Sequence, residues 1–262
     1  MEMVHAIILG IVEGVTEFLP VSSTGHLVLF AEWLRIPTTD FLKSFEIAIQ
    51  LGAIVAVVGL YSKKLLTDFD IWKKIIVAFV PTAVIGLLFY SAIRSLLGSP
   101  VVVAWAIGIG GVVMILAEWY LNKKLSLHPF QPDDTEQSQQ ISYTQAIGVG
   151  LFQCIAFIPG VSRSAATIIG GLLLGMTRRM AVEFSFLLAI PVMVAATGLD
   201  LLKTSIAFTS SEWVMLVVGA VVAGLTAWAA IAWLLCYVER WTFVPFGVYR
   251  ILLFGVLVLF IL

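Results

Sequence analysis

The sequence predicts an all-α polytopic membrane protein built as an inverted-topology repeat, each half a re-entrant pair of half-helices followed by three transmembrane helices. Three observations predict it. First, the 262 residues are 61% hydrophobic and only 12% charged, with a mean hydropathy of +1.07; an ordinary soluble domain carries about twice that charge. Second, the apolar residues come in long runs, Ile47 to Leu60, Ile75 to Tyr90, Val101 to Leu116, Val214 to Leu235 and Phe246 to Leu262. With their flanks these reach the roughly 20 residues needed to cross a bilayer. Third, the chain resembles itself at an offset of about 139 residues. Phe18-Leu19-Pro20 matches Phe157-Ile158-Pro159, and Val21-Ser22 matches Val161-Ser162 with Gly160 inserted. Further on, Val55-Ala56 matches Val194-Ala195 and Gly59-Leu60 matches Gly198-Leu199.

The first repeat covers residues 1–121. It opens with a segment, 4–35, that holds Glu13, Glu17, Pro20, Ser22, Ser23, Thr24 and His26. One straight helix would set these against lipid at high cost. Pro20 removes a helical hydrogen bond and disfavours helix at Leu19, and the flanking apolar stretches are each too short to span. The segment therefore reads as two half-helices that enter and return on one face, with the irregular backbone buried in protein or lining a wet cavity. Spans follow at 45–61, 74–91 and 100–121. Residues 122–142 form a polar linker, and the second repeat, 143–262, repeats the design. Its re-entrant pair is 143–175, broken at Pro159-Gly160, with spans at 181–201, 212–235 and 246–262.

Three crossings per half place the second half upside down relative to the first, an architecture that puts a site at the midplane. Lys and Arg set the orientation. Arg35, Lys43, Arg94 and Lys203 fall on one side. Lys63, Lys64, Lys73, Lys74, Lys123, Lys124, Arg178, Arg179, Arg240 and Arg250 fall on the other, which is therefore expected to be cytoplasmic, with the linker there and both termini outside. The stretch from Met3 to Val12 runs into Glu13 and Glu17 with no basic flank and no cleavage site, unlike a signal peptide. A net charge of −1 gives no basic surface for nucleic acid. Cys154 and Cys236 lie in separate apolar segments and read as buried free thiols.

Glu13 and Glu17, four apart, share one face of the first half-helix. They can hold a divalent cation through oxygen ligands, or act as one charged and one protonated group. In Pro20-Val-Ser-Ser-Thr-Gly-His26, Ser22 or Ser23 caps the second half-helix, whose exposed amides form an anion site. His26 follows within a turn, so a hydroxyl and an imidazole are placed to work as nucleophile and base. Pro159-Gly-Val-Ser-Arg-Ser164 repeats the turn with Arg163 added and Thr167 one helical turn on. Hydroxyls of Ser162 and Ser164, amides and a guanidinium fork there suit phosphate. Both half-helix N-termini then point their positive ends at one cavity, suited to a phosphate or diphosphate whose apolar tail stays in lipid.

The segments Glu13-Gly-Val-Thr-Glu-Phe-Leu-Pro-Val-Ser-Ser-Thr-Gly-His26 and Pro159-Gly-Val-Ser-Arg-Ser-Ala-Ala-Thr167 resemble the two signature motifs of the bacterial undecaprenyl-diphosphatase family, associated with bacitracin resistance. Phe45-Glu-Ile-Ala-Ile-Gln-Leu-Gly52 resembles that family too, and Ala165 departs from it where glycine is common. The resemblance implies hydrolysis of undecaprenyl diphosphate to undecaprenyl phosphate and inorganic phosphate, supported by magnesium or calcium. It implies a site open to the outer face of the bacterial inner membrane, recycling carrier lipid for peptidoglycan synthesis. Its motif residues map onto Glu13, Glu17, Ser22, Ser23, His26, Ser162, Arg163, Ser164 and Thr167. The roles we expect are catalysis for Glu17, Ser23, His26 and Arg163, metal for Glu13 and Glu17 or proton transfer for Glu17, and substrate contacts for Ser22, Thr24, Ser162, Ser164 and Thr167. The partners expected are the polyprenyl diphosphate lipid and the bilayer, with a homodimer the one protein assembly considered.

On this reading Ser23 attacks the terminal phosphorus with help from His26, or His26 is the nucleophile, or His26 activates water; the sequence does not choose. Glu46 and Gln50, also four apart, face either the site or a helix contact. The rival class is a transporter or flippase for an anionic polyprenyl lipid. It shares the repeat and the broken helices but has no use for a nucleophile beside a base.

Overall fold

The two helices that open each half are too short to cross a membrane. The computed structural model describes residues 1–96, 99–127, 140–203 and 208–260, and the regular elements among them are all helical. α1 (Met3–Thr16) and α2 (Ser23–Trp33) have 14 and 11 residues, about 21 and 17 Å long against a hydrocarbon core of about 30 Å. Between them the chain turns through Pro20 to Ser22, which takes φ 73°, uncommon for a residue with a side chain. The long helices α3 (Asp40–Leu60), α5 (Phe69–Leu88) and α7 (Pro100–Leu127) follow, separated by the short α4 (Ser62–Thr67) and α6 (Tyr90–Leu96). The second half runs α8 (Tyr143–Gln153), a 3₁₀ turn at Cys154–Phe157, α9 (Arg163–Leu173), α10 (Arg178–Lys203), α11 (Ser210–Val238) and α12 (Val244–Phe260). Ser162, before α9, takes the same φ of 73° as Ser22.

Helices α3, α5, α7, α10 and α11 are long and apolar enough to cross a membrane. The sixth expected span, α12, has 17 described residues; residues 261–262 lie outside the description. Caps move several boundaries. Thr39 accepts from the Leu42 amide at 3.1 Å, so α3 begins at Asp40 rather than at 45. Asp68 accepts from the Asp70 and Ile71 amides and starts α5 at Phe69 rather than 74. α7 continues through Leu127, so 122–127 of the expected linker are helical, and 128–139 lie outside the described residues.

The packing exchanges elements between halves. α11 lies between α1 and α3, while α8, its own half's first helix, packs on α5. Small residues let the backbones touch, as they must where lipid supplies no hydrophobic drive between helices. A β-carbon on Gly14 would stand 2.0 Å from Thr226 Oγ1, one on Gly52 2.1 Å from the Ala220 carbonyl oxygen, and one on Gly150 2.0 Å from that of Ala78. The two crossings even share a hydrogen bond: Thr226 donates to the Gly10 carbonyl at 3.5 Å and Thr82 to that of Gly150 at 3.0 Å. α7 and α12 pair across the halves as well.

On α7, Val101, Trp105, Ile109, Val112, Leu116 and Trp119 recur at helical spacing and are all about half exposed. Val214, Val217, Val221, Leu225 and Trp228 do the same on α11. Apolar stripes of this length are far larger than a soluble monomer leaves to water and define the lipid-facing surface. Cys236, expected to be buried, is exposed on this surface, and both cysteines are free.

At one end, Lys64 pairs with Glu183 at 3.3 Å, Arg179 with Glu183 at 3.1 Å and with Glu239, and Arg178 with the fully buried Glu118 at 2.7 Å. The short α4, directly after α3, therefore meets the start of α10, and basic residues expected on one side do gather there. Arg250 is the correction: it is not at that surface but fully buried within α12. The side chains of Arg94, Lys124 and Lys203 fall outside the description.

Candidate functional site

Glu17 caps the C-terminal end of α1, where the proline turn leaves its carboxylate facing the N-terminus of α2. One of its oxygens accepts from Ser23 Oγ at 2.5 Å; the other accepts from Arg163 Nη2 at 2.9 Å. A single carboxylate thus joins the hydroxyl at the start of α2 to the guanidinium at the start of α9. The ion pair is largely removed from solvent, with 9% of the Glu17 side chain and 12% of the Arg163 side chain accessible. Arg163 also donates to the Ser185 carbonyl at 3.1 Å and lies over the Phe18 ring at 5.4 Å. Its buried Nε has no hydrogen-bond partner in the protein.

The second turn is tied to the first. Ser162 Oγ accepts from the Ala165 amide at 3.2 Å, as Ser22 Oγ does from Gly25 at 3.4 Å, which starts each helix in the same way. Ser162 and Ser164 hydroxyls meet at 2.9 Å, and Ser164 donates to the Leu19 carbonyl at 2.8 Å. Thr167 bonds the Arg163 and Ser164 carbonyls and, at 2.6 Å, the Ser185 hydroxyl. Ser164 and Thr167 are buried, and their hydroxyls hold the turn in shape. Thr24 differs: it is exposed and, among the described residues, its hydroxyl makes no hydrogen bond within the protein.

His26 corrects an expectation. Its ring makes no hydrogen bond to Ser23. Nδ1 lies 2.7 Å from the Ser22 carbonyl and Nε2 2.6 Å from the Tyr249 hydroxyl, with the two rings nearly parallel. The carbonyl can only accept, so Nδ1 carries the proton; in the neutral ring Nε2 then accepts from Tyr249. The base bonded to Ser23 is Glu17.

Glu13 is fully buried and neither of its oxygens meets a donor. The charges that act on it are those of Glu17, Glu46 and Arg163. A buried carboxyl with no donor, set beside the Glu17 carboxylate, needs a proton or a cation. Among the described residues no three His, Cys, Asp or Glu side chains converge as a metal cage. Glu13 and Glu17 are the carboxylates that could hold a hard cation, which would need its other ligands from elsewhere.

Sequence reasoning missed Ser185, Tyr249 and Arg250. Arg250 donates to the carbonyls of Ile107, Pro20, Val161, Ala106 and Gly160 at 2.9 to 3.4 Å. The signal was present: Arg250 is a charge inside the apolar run that begins at Phe246, and such a charge is functional until shown otherwise.

Fold and site together define a polytopic helical membrane protein with a charged, hydroxyl-rich centre where two broken-helix turns meet. The chain belongs to the bacitracin resistance protein BacA family, whose family model matches residues 6–257. It is similar along its whole length to the undecaprenyl-diphosphatase of Persephonella marina, with 50% identity over 262 residues and 100% of both chains covered. The undecaprenyl-diphosphatase of Wolinella succinogenes is 48% identical over 262 residues, covering 100% of this chain and 99% of the relative. That of Aquifex aeolicus is 48% identical over 250 residues, covering 95% and 94%.

Proposed function

We propose that this chain is an integral membrane phosphatase that hydrolyses undecaprenyl diphosphate to undecaprenyl phosphate and inorganic phosphate, returning the carrier lipid for peptidoglycan synthesis. The observation that carries the reading is the bonded series Ser23–Glu17–Arg163. It joins a hydroxyl, a base within 2.5 Å of it and a fork suited to phosphate. A carrier that only moves lipid needs the fork but not the hydroxyl and its base.

Arg163 holds the terminal phosphate and offsets charge on its oxygens; phosphoryl transfer depends chiefly on such positioning and electrostatics. Ser23 Oγ attacks the terminal phosphorus as its proton passes to Glu17. The phosphoanhydride P–O bond breaks and undecaprenyl phosphate leaves. Glu17 passes that proton to the departing phosphate; water then attacks the phosphoserine as its proton goes to Glu17, the P–Oγ bond breaks, and Glu17 returns the proton to Ser23 Oγ with release of inorganic phosphate. His26, with Nδ1 on the Ser22 carbonyl and Nε2 on Tyr249, fixes the first turn of α2 and the edge of the site. Glu13, whose oxygens have no donor, and Glu17 beside it would hold magnesium or calcium; bound there, the ion would neutralise phosphate charge.

In the membrane, the halves form an inverted repeat with re-entrant first pairs. Support comes from the matched serine caps, the matched Thr226–Gly10 and Thr82–Gly150 bonds and the meeting of α4, just after α3, with the start of α10. With Arg250 removed from the count, the basic side still holds nine of the Lys and Arg residues assigned above against four. That end is cytoplasmic and the site opens outward.

The test is phosphate release from a long-chain polyprenyl diphosphate by the purified protein in detergent, with magnesium or calcium and a chelator control. Glu17→Gln and Arg163→Ala should abolish release while the protein stays folded. No release from folded wild type across several lipids and metals would refute the reading.

A further inference from the structure

We propose that Arg250 is a positioning residue of this phosphatase: from behind the site it locks the two motif turns in register and sets their positive potential, without touching substrate. The inference rests on the phosphatase reading. Arg250 is fully buried. Its Nε donates to Ile107 at 3.1 Å, Nη1 to Val161 at 2.9 Å and to Pro20 at 3.4 Å, and Nη2 to Gly160 at 3.0 Å and Ala106 at 3.1 Å. A guanidinium has five N–H groups; five bonds leave none for a ligand. Every acceptor is a backbone carbonyl. Pro20 belongs to the first motif turn, Gly160 and Val161 to the second, and Ala106 and Ile107 to α7, so one side chain bonds both turns and the helix beside them.

Two features go beyond holding the backbone. First, among the described residues no carboxylate pairs with Arg250, and a buried charge without a counter-ion is costly. Neutral donors would satisfy carbonyls at less cost; a full positive charge is matched by an anion arriving on the other side of the turns. Second, a trans peptide sends its carbonyl and the following N–H in opposite directions. Drawing the Val161 carbonyl to Arg250 turns the Ser162 amide away from it, toward the side where Arg163 begins its helix. The space for the guanidinium is also specific: a β-carbon on Gly110 would lie 2.3 Å from Nη2.

Three variants of the full chain in detergent test this: Arg250→Lys, Arg250→Gln and Gly110→Ala. Hydrolysis gives kcat and KM separately, calorimetry gives the affinity for inorganic pyrophosphate, and thermal melting reports folding. Arg250→Lys keeps the charge but has three donors for five acceptors, and Gly110→Ala keeps the arginine but displaces it. Both should lose about 100-fold in kcat, the usual cost of a misplacement of about 1 Å, with pyrophosphate affinity within about threefold of wild type. Arg250→Gln should also bind pyrophosphate at least about tenfold more weakly, as a buried charge beside the anion is lost. Folded Lys and Ala variants with wild-type kcat would overturn the proposal, as would a folded Gln variant that has merely a lower melting temperature. If the Gln variant does not fold, the Lys and Ala variants decide. A wild type that binds pyrophosphate yet releases no phosphate defeats the phosphatase reading instead, and the pyrophosphate comparison then decides the role of the charge.

Discussion

Exchanging Ser23 for alanine and Glu17 for glutamine, singly and together, probes whether the two act as one unit. Their oxygens are 2.5 Å apart, a charge-assisted bond of the strong kind. Loss of a positioned base costs about 10²- to 10⁴-fold in rate, so Glu17→Gln should lower kcat by that factor, about 3 to 5 kcal/mol in the barrier. Ser23→Ala should cost as much or more. Because each removes the same step, the double variant should be no slower than the slower single one. Stability sets a second number. At 2.9 Å from Arg163 and an effective dielectric of about 20, the attraction is about 6 kcal/mol, most of it offset by desolvation. Removing one partner of a buried pair costs about 3 to 5 kcal/mol, and glutamine, which keeps an acceptor, should fall at or below the lower end. Phosphate release, trapping of phosphoserine and thermal melting read these out. Losses that multiply in the double variant, or full activity in Ser23→Ala, would show that Ser23 is not the nucleophile served by Glu17.

Other outcomes follow from the same geometry. Tyr249→Phe strips the donor from His26 Nε2 and should lower stability by about 1 kcal/mol, seen as a fall in Tm. Glu118→Gln weakens the bonds to Arg178 and the Phe243 amide; it should cost about 3 kcal/mol of stability and leave kcat of the folded protein unchanged. Gly14→Ala drives a methyl group against Thr226 and the backbone of α11, and should destabilise by about 1 to 3 kcal/mol or more. Glu13→Gln should raise the magnesium concentration for half-maximal rate by about tenfold, since ligand charge tunes affinity for hard cations; an unchanged requirement would remove Glu13 from any metal site.

Most of the architecture was legible because it is written in periodicity and in expense. Apolar runs located the long helices, and Glu13, Glu17, His26 and Arg163 stood out as groups that lipid would not tolerate. Pro20 and Pro159 marked the breaks. Boundaries were less legible where a cap overrides hydropathy: Thr39 and Asp68 start their helices several residues before the apolar runs begin. The partner of Ser23 was not legible at all. Sequence proximity favours His26, three residues away, whereas the turn at Ser22 swings the hydroxyl back to Glu17. Arg250 was misread because its place near the start of the last apolar run suits a boundary, and its acceptors are carbonyls from three distant segments. Backbone acceptors carry no residue-type signature.

The exchange of α1 onto α11 and α8 onto α5 bears on the order of synthesis. A chain leaving the ribosome has α1 and its glutamates in hand long before α11 exists to cover them, so Glu13 and Glu17 wait without their final surroundings. The Glu17 partner, Arg163, emerges later, and Arg250, which binds both turns, arrives in the last helix. No stretch of nascent chain that stops short of α12 assembles the centre. The Ser23–Glu17 pair lies within the first segment, but the two guanidinium groups that complete the centre come from the second half of the chain.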